Sequence, residues 1–204
     1  DPRLISEIAP AVAKAAMATG VATRPIKDFD EYRERLASFV FKSGLLMKPI
    51  LARARQEPRS IVFAEGEDER VLRAVQALID DRLARPHLIG RPDVIKSRIE
   101  RLGLRIEPDV HFSITNPLDD PRYEEFWSQY HLLMERKGVT IADAKTIIRT
   151  NTTVIAAMMV KRGEVDAMIC GTYGQYEWHL KYVLDIIGKR EGVSDVSALS
   201  ALIL

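Results

Sequence analysis

Residues 60–95, SIVFAEGEDERVLRAVQALIDDRLARPHLIGRPDVI, alternate between two kinds of pattern. Residues 60–64 are a short apolar run of the sort a buried strand carries. Gly66 makes a turn. Glu67, Asp68 and Glu69 then supply acidic side chains to the first turn of a helix, where the dipole favours them. Val71, Leu72, Val75, Leu78 and Ile79 fall on one face at helical spacing. Residues 85–90 read as the next strand, and Arg91-Pro92 opens a further helix with proline early, where its missing N–H costs nothing. Strand, helix and strand in this order form a βαβ unit, which implies a parallel sheet.

The same turn excludes a function. A phosphate-binding βα turn offers free backbone N–H groups and little negative charge at the helix start. Here three acids stand at that start, and neither GxGxxG nor GxxxxGK[ST] occurs in the chain. The acids read as helix-dipole partners on a solvated turn, and no mononucleotide or dinucleotide site is expected there.

Outward from this unit the pattern changes. Residues 1–57 read as helices: an Ala-rich helix over 6–19 that stops at Gly20, a second capped by Asp28 with Glu31 three residues on, a break at Gly44, and a third over 45–55. Beyond the βαβ unit, residues 93–102 are helical to Gly103. Residues 105–114 form a weak strand interrupted by Pro108. A helix over 123–136 ends at Gly138, and Thr140 caps the next, with Asp143 three residues on. Residues 150–161 form a largely apolar helix and residues 165–170 a strand. Residues 171–177 are a loop, residues 178–187 a helix, and residues 197–204 a strand.

With 30 basic and 29 acidic residues, the formal charge of +1 gives no electrostatic case for nucleic acid or an anionic membrane. No apolar run is long enough to span a bilayer. The single cysteine, Cys170, forms no internal disulfide, which fits the reducing cytoplasm, and reads as a buried structural thiol. His87 lies inside a strand as a satisfied core histidine. His111 and His131 have no partners at metal spacing, so no metal is assigned. The aromatic stripe of residues 123–130 reads as core. Both chain ends are abrupt, and the chain reads as a segment of something longer.

One cluster stands apart. Tyr173, Gln175, Tyr176, Trp178, His179 and Lys181 fall in a loop beyond the C-terminal end of a strand, where open α/β sheets bind ligands. The aromatic rings suit stacking on an adenine, and Lys181, Arg136 or Arg149 suit phosphates. A subunit contact rich in Tyr and Trp is the other reading.

Two families meet in the chain. DPRLI, IAPAVAKAAM and GVATRPI, within residues 1–40, resemble the C-terminal helices of bacterial malic enzymes. FAEGEDERVLRA, RPHLIGRPDVI, ERKGVT, AAMMVKRGEVDAMICG and GVSDVSALSALIL, within residues 59–204, resemble the first half of phosphate acetyltransferase. The join resembles the hybrid NADP-dependent malic enzymes of bacteria. It implies that residues 1–57 end the malic part and that residues 58–204 begin an α/β, three-layer, parallel-sheet acetyltransferase-like domain. It also implies a parent that oxidatively decarboxylates malate to pyruvate, using NADP and a divalent metal (Mg or Mn). This segment would hold neither complete catalytic site and no cofactor or metal of its own. The domain would assemble a cytoplasmic homo-oligomer and bind acetyl-CoA as an inhibitor. A working acetyltransferase and a purely structural oligomerisation domain are the alternatives. Two departures weigh against transferase activity. The family's LRxxKG arginine is Met134 here, and in place of its HTT and RP stand Gly174-Gln175-Tyr176 and Lys181-Tyr182.

Overall fold

A computed structural model describes residues 3–40 and 44–198. The chain separates into two compact units, divided between Arg53 and Ala54. In the first, helix α1 (Arg3–Ala18) runs out at Gly20, whose φ of +76° is left-handed, and helix α2 (Phe29–Val40) follows. Asp28 caps α2: its Oδ1 accepts from the backbone N–H of Asp30 at 2.8 Å and of Glu31 at 3.0 Å. Helix α3 (Gly44–Gln56) starts at the glycine that was expected to interrupt the helices.

The second unit alternates strand and helix. β1 (Arg59–Phe63), α4 (Glu69–Asp80), β2 (Ala84–Ile89), α5 (Pro92–Leu102) and β3 (Ser113–Thr115) come first. There follow α6 (Tyr123–Met134), a 3-10 turn (Glu135–Lys137), α7 (Ile141–Thr150), α8 (Thr152–Lys161), β4 (Ala167–Ile169) and α9 (Tyr176–Ile186). The strands make one parallel sheet in the order β3-β2-β1-β4. β1 pairs with β2 in the register Val62 to His87 and with β4 in the register Val62 to Met168.

Alternation along the strands sends side chains into two cores. Phe63 and Leu88 pack with Val71, Leu72 and Val75 of α4 and with Ile95 and Ile99 of α5. Val62, Ala64 and Ile89 pack on the other face, with residues of α6 to α9. α8 carries Val154 to Met159 without a polar break, and all six are buried. The result is the three-layer α/β arrangement expected from the sequence.

Several local expectations change. Of the long weak strand only Ser113 and Ile114 join the sheet, with Thr115 added beyond it, because Pro108 and the left-handed Asp109 (φ +61°) turn the chain before them. Glu67 lies ahead of α4 and salt-bridges Arg91, Asp68 is the N-cap, and Glu69 pairs with Arg101, so only one acid is inside the first turn. α9 begins at Tyr176, two residues early. Ser197 and Ala198 adopt no regular structure, and the rest of the expected last strand lies outside the described residues. In the aromatic stripe Phe126 and Tyr130 are core, but Tyr123 and Trp127 are only partly buried.

His87 is satisfied, as expected. Its Nδ1 meets Ser113 Oγ at 2.6 Å and its Nε2 meets Thr115 Oγ1 at 2.7 Å. Arg122 donates to the same Thr115 oxygen at 2.8 Å and holds Asp120 and Glu164 in salt bridges. Burial, and secondarily the Arg122 charge, push the imidazole down to about 4 from the usual 6.5. The folded state therefore refuses a proton that the unfolded chain accepts. Its contribution is full above pH 6.5 and is lost as pH falls towards 4, a change on the order of 2–3 kcal/mol. Urea unfolding from pH 7.5 to 4 should show a steeper loss of stability for the wild type than for His87→Gln. Parallel curves would contradict this reading.

Two glycines separate crowding from strain. A Cβ on Gly66 would sit 2.8 Å from the Ile89 carbonyl oxygen and 2.8 Å from Leu88 Cβ. Gly103, with φ +62°, has open space around it. Gly66→Ala should cost about 1–3 kcal/mol and Gly103→Ala about 1 kcal/mol. A Gly66→Ala urea midpoint equal to that of the wild type would refute the close approach of the β1 loop to β2.

Candidate functional site

In this topology β1 is the pivot. The chain leaves β1 for β2 and β3 on one flank, while β4 returns on the other. Open parallel sheets bind ligands outside the C-terminal ends of the strands at such a switch point. Residues 64–68 after β1 and residues 170–175 after β4 flank the opening.

The β4 loop is held at three successive residues. The Gly171 N–H donates to Glu65 Oε1 at 2.9 Å. Arg70 donates to the Thr172 carbonyl at 2.7 Å, and His179 Nε2 donates to the Tyr173 carbonyl at 2.8 Å. His179 Nδ1 meets Thr153 Oγ1 of α8 at 2.8 Å. A carbonyl only accepts, so Nε2 carries the proton, and in the neutral ring Nδ1 accepts from the threonine hydroxyl. Gly174 lies against this ring at φ +93°, and a Cβ there would come within 2.9 Å of Nε2. The sequence therefore needs glycine at 174, where the family loop has histidine.

The expected site residues divide. Tyr173 and Tyr176 are each 61% exposed and Trp178 is 45% exposed. Gln175 and Lys181 are exposed beside them in sequence. Trp178 stands edge-on to Tyr182 at 5.6 Å. His179 is only 5% exposed with both ring nitrogens engaged, so its place is under the loop and not on the surface. Arg149 is elsewhere: its guanidinium lies 4.5 Å over the Tyr123 ring, in a separate cavity with Trp127 and Lys145. Arg136 stands exposed in the 3-10 turn.

Under the loop, a cavity of about 300 Å³ is lined by Cys170, Gly171, Gly174, Tyr176, His179, Leu180 and Val183. Cys170 is half-buried rather than fully buried, because β4 is a short edge strand. Burial, and secondarily the Glu65 charge, push its thiol up, which keeps it protonated and a poor nucleophile. Met134 is 4% exposed in the apolar core with Tyr130 and Ile148, so position 134 faces the core in this fold. Among the described residues no group of His, Cys, Asp or Glu is arranged to hold a metal ion. No described helix is long and apolar enough to cross a membrane.

Glu65, Arg70 and Thr153 were not singled out in the sequence. Glu65 had one visible signal, an acid directly after an apolar strand. Arg70 and Thr153 had none, since their partners are 102 and 26 residues away.

Comparison with known proteins agrees with this geometry. The family model described as "Phosphate acetyl/butaryl transferase" matches residues 45–204. A solved phosphotransacetylase from Streptococcus pyogenes superposes with a TM-score of 0.63 at 27% identity, covering 73% of this chain and 45% of that one. The chain belongs to the phosphate acetyl/butaryl transferase family and carries part of its domain. Over its whole length it is also 58% identical to an NAD-dependent malic enzyme of Rhizobium meliloti (strain 1021) and 53% identical to an NADP-dependent malic enzyme of Escherichia coli (strain K12). It spans 26% and 27% of those two proteins, and so matches a segment of a hybrid malic enzyme.

The loop's anchoring has a direct check. His179→Ala should cost about 1–3 kcal/mol, since the Thr153 hydroxyl is left buried and unpaired. It should also speed amide hydrogen exchange across residues 171–175 while leaving β1 and β2 protected. Unchanged exchange in that loop would show that His179 does not hold it.

Proposed function

We propose that this chain is the start of a regulatory domain in a hybrid malic enzyme, binding acetyl-CoA as an allosteric inhibitor without transferring its acetyl group. The parent would oxidatively decarboxylate malate to pyruvate with NADP and a divalent metal, Mg or Mn, and work as a cytoplasmic homo-oligomer. The malic enzymes named above use NAD in one case and NADP in the other. The NADP assignment follows the sequence resemblance.

The observation that carries this reading is the anchored loop at the switch point, with exposed aromatic rings above a cavity whose lining contains no fixed cation. Transfer of acetyl to phosphate requires positive charge fixed around a dianion and a developing oxyanion. Met134 lies in the core, and Lys181 is a single flexible ammonium that does not replace a bidentate arginine. An acetyl thioester and its uncharged tail suit the apolar cavity. Tyr176 and Trp178 suit apolar contact along the ligand, Tyr173 suits its base, and Lys181 suits a phosphate.

One observation favours a second reading. Exposed Tyr and Trp in one patch are also what a subunit contact uses. A single set of variants separates the two. In the full-length parent, acetyl-CoA should lower malate oxidation, and Tyr176→Ala and Lys181→Ala should each raise the inhibitory concentration about tenfold. Oligomer size should not change, and no thiol should be released from acetyl-CoA with phosphate. Undiminished inhibition in both variants removes the start of α9, and with it this face of the switch point, from the effector site. Loss of assembly supports the subunit contact, and turnover near 1 s⁻¹ or faster supports a working transferase.

A further inference from the structure

A second cavity, of about 290 Å³, lies on the other side of the β4 loop. Its lining includes Glu65, Glu67 and Asp68 from the β1 loop, Ile89 at the end of β2, Thr152 at the start of α8, and Tyr173. Glu65 is 5% exposed, and its Oε1 is occupied by the Gly171 N–H. Its Oε2 is buried and has no hydrogen-bond partner. A buried acceptor left unpaired is costly and uncommon, so this oxygen calls for a donor. The neighbouring carboxylates do not compete for one. Glu67 holds Arg91 at 2.9 Å and Asp68 holds Arg70 at 2.9 Å.

The rest of the wall narrows the choice of ligand. Partial burial, and then the negative field of Glu65, Glu67 and Asp68, raise the Tyr173 phenol, so it keeps its proton and can donate. Arg98 of α5 also lines the wall, where it donates to the Glu67 carbonyl. With Glu67 and Asp68 paired to arginines, the carboxylate left facing a ligand is Glu65, which disfavours a phosphate beside it. A bare cation would need several free oxygens, and Glu65 has one. Ile89 and Pro117 add apolar wall suited to a flat ring. The lining thus asks for an uncharged ring edge with an amino donor beside a ring-nitrogen acceptor.

We propose that this crevice binds the amino edge of an aminopurine, with Glu65 Oε2 accepting from the exocyclic amine and the Tyr173 hydroxyl donating to a ring nitrogen. The proposal deepens the functional reading above, on which it rests for the whole ligand: it assigns the adenine end of acetyl-CoA to the crevice and leaves the phosphates outside it.

Adenosine and inosine test it in the full-length parent, with the dinucleotide site filled by saturating NADP. Inosine turns the amino donor into a carbonyl acceptor facing Glu65. Calorimetric titration should find adenosine binding at least about tenfold more tightly than inosine. Glu65→Gln, which keeps an acceptor for Gly171 but places an amide donor at the other position, should abolish that preference. If Glu65→Gln does not fold, Tyr173→Phe decides, since it removes only a hydroxyl from a residue outside the core and should weaken adenosine binding several-fold. Equal binding of the two nucleosides, no binding of either, or an unaltered preference in the variant that folds would overturn the assignment. Acetyl-CoA inhibition measured on the same samples separates the two ideas. Inhibition without nucleoside preference sinks only the crevice, and nucleoside preference without inhibition sinks only the regulatory reading.

Discussion

A hydrogen bond from the Gly171 N–H to the buried Glu65 carboxylate joins the two loops that flank the switch point of the sheet. The two cavities beside the β4 loop both border it. On one side it fixes the β1 loop, which Gly66 already presses against the end of β2. On the other it starts the β4 loop on its course, and Arg70 and His179 then hold the next two carbonyls. The course of the β4 loop is therefore set by three side chains anchored elsewhere in the fold. Such prior ordering lowers the entropy that binding must overcome.

The far flank of the sheet is held differently. Arg122 reaches Thr115, Asp120 and Glu164 and lies 5.1 Å over the Phe126 ring, and Arg162 lies 5.2 Å over the same ring. This network ties β3, α6 and the α8–β4 turn together, and with His87 it couples stability to pH. The switch-point side is held instead through the β4 loop.

The βαβ unit was legible because strands buried on both faces and an amphipathic helix have different periods. Caps were legible too: Thr140 and Asp143 form a reciprocal capping box, and Gly103 ends α5 in the left-handed region. Contacts between distant segments were not. Periodicity does not say that Arg149 of α7 stacks on Tyr123 of α6, or that His179 meets a threonine of α8. The start of α9 is not visible in the sequence because Gln175 serves as an N-cap through backbone geometry alone, without a side-chain bond. The apolar run before Cys170 implies a buried thiol, but β4 is three residues long and lies at the sheet edge. The loop was picked out as a candidate from its composition. Why it holds its shape became visible only with Glu65, Arg70 and Thr153 in place.

Hydrogen exchange on the full-length parent, with and without acetyl-CoA, tests the central claim most directly. The account predicts that the ligand slows exchange chiefly in residues 64–68 and 171–181, which are the two loops joined through Glu65 and the start of α9. Protection that appears only elsewhere in the protein, or no change on adding acetyl-CoA at saturating concentration, would contradict it.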